Sequence, residues 1–180
     1  MYFNIMPKIY YDSVGTGKPK IVTNLLRRVG IRNKVKTNTM LFDTYSVREG
    51  ETPEIIAHKM YGDPELHWIV MLVNDIVDRY HDWPMGTSQF NSYLNQKYVD
   101  EDGNLNTSGV HHYEIDQTSG DTKVTIEVTD IITYPNAKIV TNYEYEQRRQ
   151  DRIRQIRILD PRYKDTFIDE YKKLMNETAI

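Results

Sequence analysis

The chain has 180 residues, 39% hydrophobic and 27% charged, with 23 Lys and Arg against 26 Asp and Glu for a net charge of −3. That length admits one ordinary domain or two small ones, and the slight acidic excess supplies no global attraction to nucleic acid or anionic lipid. The longest uninterrupted apolar run, WIVMLV at residues 68–73, is far below the roughly 20 residues that span a bilayer. The start, MYFNIMPKIYYD, has no basic segment leading into an apolar core, so no cleaved secretory signal is expected. With no cysteine, disulfides, zinc-thiolate sites and thiol nucleophiles are excluded, which is compatible with a reducing cytoplasm. A mean hydropathy of −0.65 beside 14 tyrosines describes little aliphatic surface but many side chains suited to partly wet protein contacts.

Residues 1–41 show no sustained period: an IYY patch, a GTGKPK turn, NLLRRVGI and a polar tract. They read as an extended arm that needs something to lie on. From there LFDTYSV predicts a short strand and EGET a turn, and Pro53 predicts a helix start with Thr52 as its N-cap. Ile55, Ile56, Met60 and Tyr61 recur at helical spacing up to Gly62, and Asp63-Pro64 opens a second helix containing WIVMLV and ending at Asn74. A third helix from Thr87 places Phe90, Leu94 and Tyr98 on one stripe, and DEDGNLNTSG is a loop. HHYEI and TKVTIEV, separated by a Ser-Gly-Asp turn, predict a hairpin. NYEYEQRRQDR predicts a charged helix, IRIL a short run, and Asp160-Pro161 a last helix with Tyr163, Phe167, Ile168, Tyr171, Leu174 and Met175 along one face.

No familiar catalytic or metal pattern emerges. Residues 15–18, GTGK, lack the spacing and the hydroxyl of a phosphate loop, and Pro19 follows the lysine. Asp100, Asp102, Asn104 and Asn106 alternate like a calcium loop, but Gly103 is misplaced and His111 stands where a bidentate Glu is needed. The histidines, His58, His67, His81, His111 and His112, make no zinc spacing. No serine sits in a nucleophile elbow. Asp75, Asp78 and Asp82 read as loop acids at a helix end rather than glycosidase carboxylates. Arg148, Arg149, Arg152, Arg154 and Arg157 are threaded with Glu144, Glu146 and Asp151, which is the pattern of an ion-paired helix face or a docking site for an acidic protein.

YSVREGETP followed by EIIAHKMYG and LHWIVMLVND resembles the LysM module. The continuation NDIVDRYHDWP, the upstream LLRRVGI and the downstream NYEYEQRRQDRIRQIRILDPRY together resemble, over nearly the whole chain, the small baseplate wedge subunits of T-even-type contractile-tailed phages, the gene-53 product family. The resemblance implies an α+β fold: a small LysM-like β-α-α-β module at 42–83, an N-terminal extended arm at 1–41, a helix and loop linker at 84–110, and a C-terminal β-hairpin and helical segment at 111–180.

It also implies a structural virion protein without enzymatic activity or cofactor. Such a protein joins the wedge's core helical bundle to neighbours, including a sheath-initiator-type subunit, and helps adjacent wedges close into a ring. Neither nucleic acid nor membrane is an expected partner. LysM modules bind N-acetylglucosamine-containing glycans through two loops, which fall here on Gly50, Glu51, Thr52 and Pro53 and on Asn74, Asp75 and Asp78. Pro53 in the first loop and the acids near the second point to protein docking in that groove instead of peptidoglycan; the alternative is a glycan-binding module. Expected protein anchors are an exposed Trp83 with Pro84, Tyr143 with Tyr145, and the cations Arg148 and Arg149.

Overall fold

The computed structural model describes residues 2–100 and 102–177. Its elements are β1 (Lys8–Tyr11), β2 (Lys20–Thr23), α1 (Asn33–Lys36), β3 (Phe42–Ser46), α2 (Pro53–Tyr61), α3 (His67–Val73) and α4 (Thr87–Lys97). They continue with β4 (Val110–Ser119), β5 (Thr122–Val128), β6 (Lys138–Thr141), α5 (Asn142–Arg154), β7 (Gln155–Leu159) and α6 (Lys164–Asn176). The fold is mixed α+β with small antiparallel sheets, and it forms two compact units. Unit 1 comprises the residues up to Asp82 and those from Gln155 onward; unit 2 is Trp83–Arg154.

Unit 1 is built on the antiparallel pair β3–β7, in register from Phe42↔Leu159 to Ser46↔Gln155. The alternation along β7 buries Ile156 and Ile158, whose side chains share one face of the pair. The two helices between the strands bury Ile56, Ala57, Ile69 and Val70 completely, and α3 packs against β7. Local chemistry fixes those helices. The Thr52 hydroxyl accepts the N–H of Ile55, Pro53 takes the first turn, and Gly62 ends α2 at φ +77, a conformation that only glycine adopts without strain. Asp63 then accepts the N–H of Glu65 and starts a single 3-10 turn, Pro64–Leu66, that runs into α3.

Asn74 ties α3 to the ladder. Its Nδ2 donates to the carbonyls of Val70 and Arg157, both at 2.8 Å, and its Oδ1 accepts the N–H of Arg157 at 2.7 Å. Both backbone groups of Arg157 therefore point away from β3, and the Asn74 amide serves as a one-residue strand that closes the free edge of β7. The last helix docks within the same unit: Trp68 lies 4.7 Å from Tyr171 and 6.2 Å from Phe167 between ring centroids, and Tyr171 and Met175 are buried. The Arg27 guanidinium donates to the carbonyls of Leu174 and Glu177 at the C-terminal end of α6, where a cation also meets the negative end of the helix dipole.

Unit 2 holds a three-stranded antiparallel sheet in the order β5-β4-β6, together with α4 and α5. The β4–β5 turn is Gly120-Asp121 with Gly120 at φ +60, which suits a two-residue hairpin loop with glycine first.

Three sequence expectations are corrected. The strand that completes the β-α-α-β order is β7, not a segment within 42–83, because the IRIL run carries the alternation that pairs with β3. The segment 111–180 accordingly does not behave as one body: it divides between Arg154 and Gln155, while 84–110 belongs with the hairpin. The arm 1–41 is not wholly extended, since β1 and β2 pair from Lys8↔Thr23 to Tyr11↔Lys20. Residue 1 and residues 178–180 of the outer segments lie outside the described residues.

Asn74→Ala is expected to lower the unfolding free energy by about 1–3 kcal/mol, since it removes three hydrogen bonds to the backbone of Val70 and Arg157. Chemical denaturation measures this, and an unchanged midpoint would show the amide bridge to be dispensable.

Candidate interaction surfaces

The two loops expected to form a glycan-type groove are occupied by internal bonds. Glu51 accepts the Tyr45 hydroxyl on both carboxylate oxygens at 2.8 Å and the N–H of Arg48 at 2.9 Å. Burial opposes ionisation there, but the Arg48 N–H, the Tyr45 hydroxyl and the Lys59 ammonium outweigh it and hold the carboxyl below its ordinary value. Thr52 caps α2, Pro53 is buried, and Gly50 sits at φ +78 in the turn. In the second loop Asn74 is committed to Val70 and Arg157. Asp75 has a left-handed backbone, φ 56, and its carboxylate is paired with Lys36. Asp78 accepts the N–H of Tyr80 at 2.8 Å and faces His81 Nδ1 at 2.6 Å. A cavity of about 460 Å³ takes in Asn74 and Asp75 with Lys36, Gln155 and Arg157, but none of residues 50–53 lines it.

In unit 2 the expected anchors separate into two kinds. Trp83 is buried at 7% exposure and Pro84 is half-buried, so Trp83 is a core residue and not an exposed anchor. Tyr143 is 43% exposed and meets Phe90 edge-on at 5.9 Å. Tyr145 stacks on His111 at 3.8 Å between centroids. Arg148 donates to Glu114 at 2.7 Å with its side chain half exposed, and Arg149 lies 3.7 Å from Glu146.

Sequence reasoning placed Glu146 among the acids of a solvated helix face, but its side chain is fully buried. Its Oε1 receives the Lys97 ammonium, the Tyr98 hydroxyl at 2.9 Å and the Tyr93 hydroxyl at 3.4 Å. Burial disfavours the charge, yet Lys97 and Tyr98 prevail and hold the carboxyl below its ordinary value of 4.5. Asn142, Glu146 and Gln150 recur at helical spacing and form the buried stripe of α5. Gln150 accepts the N–H of Met85 at 2.9 Å.

Two surfaces present apolar side chains to solvent. Strand register puts Tyr113, Ile115, Val124, Ile126, Val128 and Ile139 on one face of the unit 2 sheet. Val124 and Ile139 are each 50% exposed, and Tyr134 joins Ile115 and Ile126 at a shallow cavity there. The opposite face carries Glu114, Asp116, Lys123 and Lys138, cross-linked by ion pairs. In unit 1 the β1–β2 hairpin exposes all eight of its residues, and Leu26 just after it is 91% exposed. The loop of that hairpin contains GTGK, whose backbone is already engaged: the Asp12 carboxylate accepts the N–H groups of Val14, Gly15 and Gly17 at 2.7–3.2 Å. An internal anion fills the place a phosphate would take.

Among the described residues no group of three His, Cys, Asp or Glu side chains is arranged to hold a metal ion. No described helix is long and apolar enough to cross a membrane.

Comparison with known proteins supplies a family. A family model described as base plate wedge protein 53 matches residues 1–130. The baseplate wedge protein gp53 of Enterobacteria phage T4 is 26% identical over 147 residues, covering 75% of this chain and 74% of that protein.

Two measurements follow from the unit 2 interior. Trp83→Ala should lower stability by about 3–5 kcal/mol, read as a fall in the melting temperature of the isolated chain; full retention would return Trp83 to the surface. Lys97→Met should lower stability at pH 7 by about 2–4 kcal/mol, by leaving the Glu146 charge buried without its cation. In the wild type, Glu146, Glu114 beside Arg148, and Asp116 beside Lys138 and Lys123 all ionise below their ordinary values. Their contribution is complete above about pH 4.5 and is lost as pH falls through the depressed values. The gap between Lys97→Met and wild type should therefore narrow on acidification, and a gap independent of pH would remove Glu146 as its cause.

Proposed function

Because the chain belongs to the baseplate wedge protein 53 family, whose members are structural parts of the phage tail baseplate, we propose that it is a connector. It joins the wedge's core helical bundle to neighbouring subunits, among them a sheath-initiator-type protein, and helps adjacent wedges close into the baseplate ring. Assembly takes place in the host cytoplasm. The observation that carries this reading is the amount of apolar surface left open by a chain of low hydropathy: Leu26 at 91%, Ile132 at 88% and Tyr10 at 76% exposure, with the half-open apolar face of the unit 2 sheet. Exposed apolar side chains gathered on a hairpin and on one sheet face are suited to contacts with other proteins.

The β3-α2-α3-β7 part of unit 1 acts as a LysM-like peg. Its element order and the antiparallel pairing of its two strands support that reading. The groove loops, Gly50 to Pro53 and Asn74 to Asp78, have their polar groups engaged internally, which favours a protein-facing role for this surface over glycan capture. Tyr143 and the outer halves of Arg148 and Arg149 remain docking candidates in unit 2, with Tyr145 supporting them from its stack on His111.

Purified chain mixed with reconstituted wedge-core bundle should co-elute with it on size exclusion, and it should stay in the supernatant when spun with insoluble peptidoglycan. Sedimentation with peptidoglycan and no association with the bundle would replace the connector by a cell-wall-binding module.

A further inference from the structure

Charge is distributed unevenly along the chain. Residues 1–40 contain eight Lys and Arg and a single acid, Asp12, a net of +7. The total is −3, so the remaining residues carry −10. The one acid of the arm is withdrawn, since its carboxylate is bonded to three N–H groups of its own loop. Two of the cations have structural duties: Arg27 on the carbonyls at the end of α6 and Lys36 on Asp75. Lys8, Lys18, Lys20, Arg28 and Arg32 are exposed, and no ion pair within the described chain engages them. The acidic remainder of the chain is thus not what neutralises them in the same molecule.

The apolar side chains interleaved with these cations decide the class of partner. Tyr10 and Ile21 face each other across the hairpin at 76% and 60% exposure, and Leu25 and Leu26 follow at 60% and 91%. A nucleic-acid surface gathers phosphate-binding cations around aromatic platforms and has little use for exposed leucine and isoleucine. A protein contact uses such aliphatic groups as its dry centre, with charges at the rim to steer encounter. A two-stranded hairpin with every residue exposed is also marginal by itself and gains its packing from what it lies on.

We infer that the β1–β2 hairpin and the segment through Arg32 dock on an acidic protein surface with apolar pockets, carried by another subunit of the baseplate wedge. The inference rests on the connector reading and adds the chemistry of the partner. The dry centre is Tyr10, Ile21, Leu25 and Leu26; the steering rim is Lys8, Lys18, Lys20, Arg28 and Arg32.

The test uses the full chain, a Lys18→Glu/Lys20→Glu/Arg28→Glu variant and a Tyr10→Ser/Leu26→Ser variant, each checked for an unchanged melting temperature. Binding to purified wedge subunits of the same particle is measured between 50 and 300 mM NaCl. Wild-type association should weaken with salt and be competed by excess poly-L-glutamate. Charge reversal should slow association at least about tenfold at low salt and flatten the salt dependence, and the apolar variant should speed dissociation with association little changed. If wild type and charge reversal bind alike, the acidic docking is wrong while the connector reading stands. If wild type binds none of the wedge subunits, the connector reading itself fails. Charge-dependent binding of a DNA duplex without subunit binding would make the arm a nucleic-acid contact. Salt-sensitive self-association in sedimentation, lost on charge reversal, would make the partner a second copy of this chain. Either of the last two results overturns the proposal.

Discussion

The pairing of β3 with β7 is the constraint on which unit 1 depends. Five residues before the helix pair must find five residues that follow the whole of unit 2. Closing a flexible loop of that size costs on the order of 4 kcal/mol of chain entropy. What chiefly offsets it is burial of Ile156, Ile158 and Leu159, at about 1.5–3 kcal/mol for each side chain. Unit 2, once folded, holds the two ends of its segment at a fixed separation and removes much of the freedom that β7 would otherwise lose. Asn74 gives the late strand a second receptor: β7 pairs with β3 along one edge and is held through Arg157 by the Asn74 amide on the other. Without this strand α3 would lose the sheet edge it packs against.

Unit 2 solves a different problem. Its sheet sends charged residues toward one side and apolar residues toward the other, and the charged side is knitted together by Glu114, Asp116, Lys123, Lys138 and Arg148. Its interior places a carboxylate, Glu146, where an apolar residue of similar volume would be expected to stabilise as well or better. Three donors converging on one oxygen fix α5 against α4 in a single register, because any slide along the helix would leave the charge unpaired.

Much of this architecture was legible. Thr52-Pro53, Gly62-Asp63-Pro64 and Asp160-Pro161 mark helix ends by local chemistry that tertiary context did not override. The hairpin with its Gly-Asp turn was equally clear. The partner of β3 was not, since pairing between distant strands leaves no trace in either segment beyond a compatible alternation. Trp83 beside Pro84 has the look of an exposed anchor because its neighbours His81 and Asp82 are exposed, yet burial of a tryptophan is set by what folds over it. Glu146 was hidden for a related reason. A carboxylate in a sequence rich in Arg and Glu looks solvated, and only the arrival of Lys97, Tyr93 and Tyr98 from α4 and its C-terminal end makes burial tolerable. The family resemblance spans such gaps by matching a pattern, but it does not reveal which side chains face inward.

The exposed apolar surface argues for many modest contacts in place of one strong one. A cluster of four or five such side chains offers on the order of 400–500 Å² of apolar area, well below the roughly 800 Å² per partner of a typical stable interface. A single contact of that size is weak and reversible. Several contacts borne by one chain act together once the first has formed, because the second becomes intramolecular and its effective concentration rises steeply. Low mean hydropathy then has a physical purpose: surface apolar enough to hold an assembly, but divided finely enough that the free subunit does not aggregate before its partners arrive.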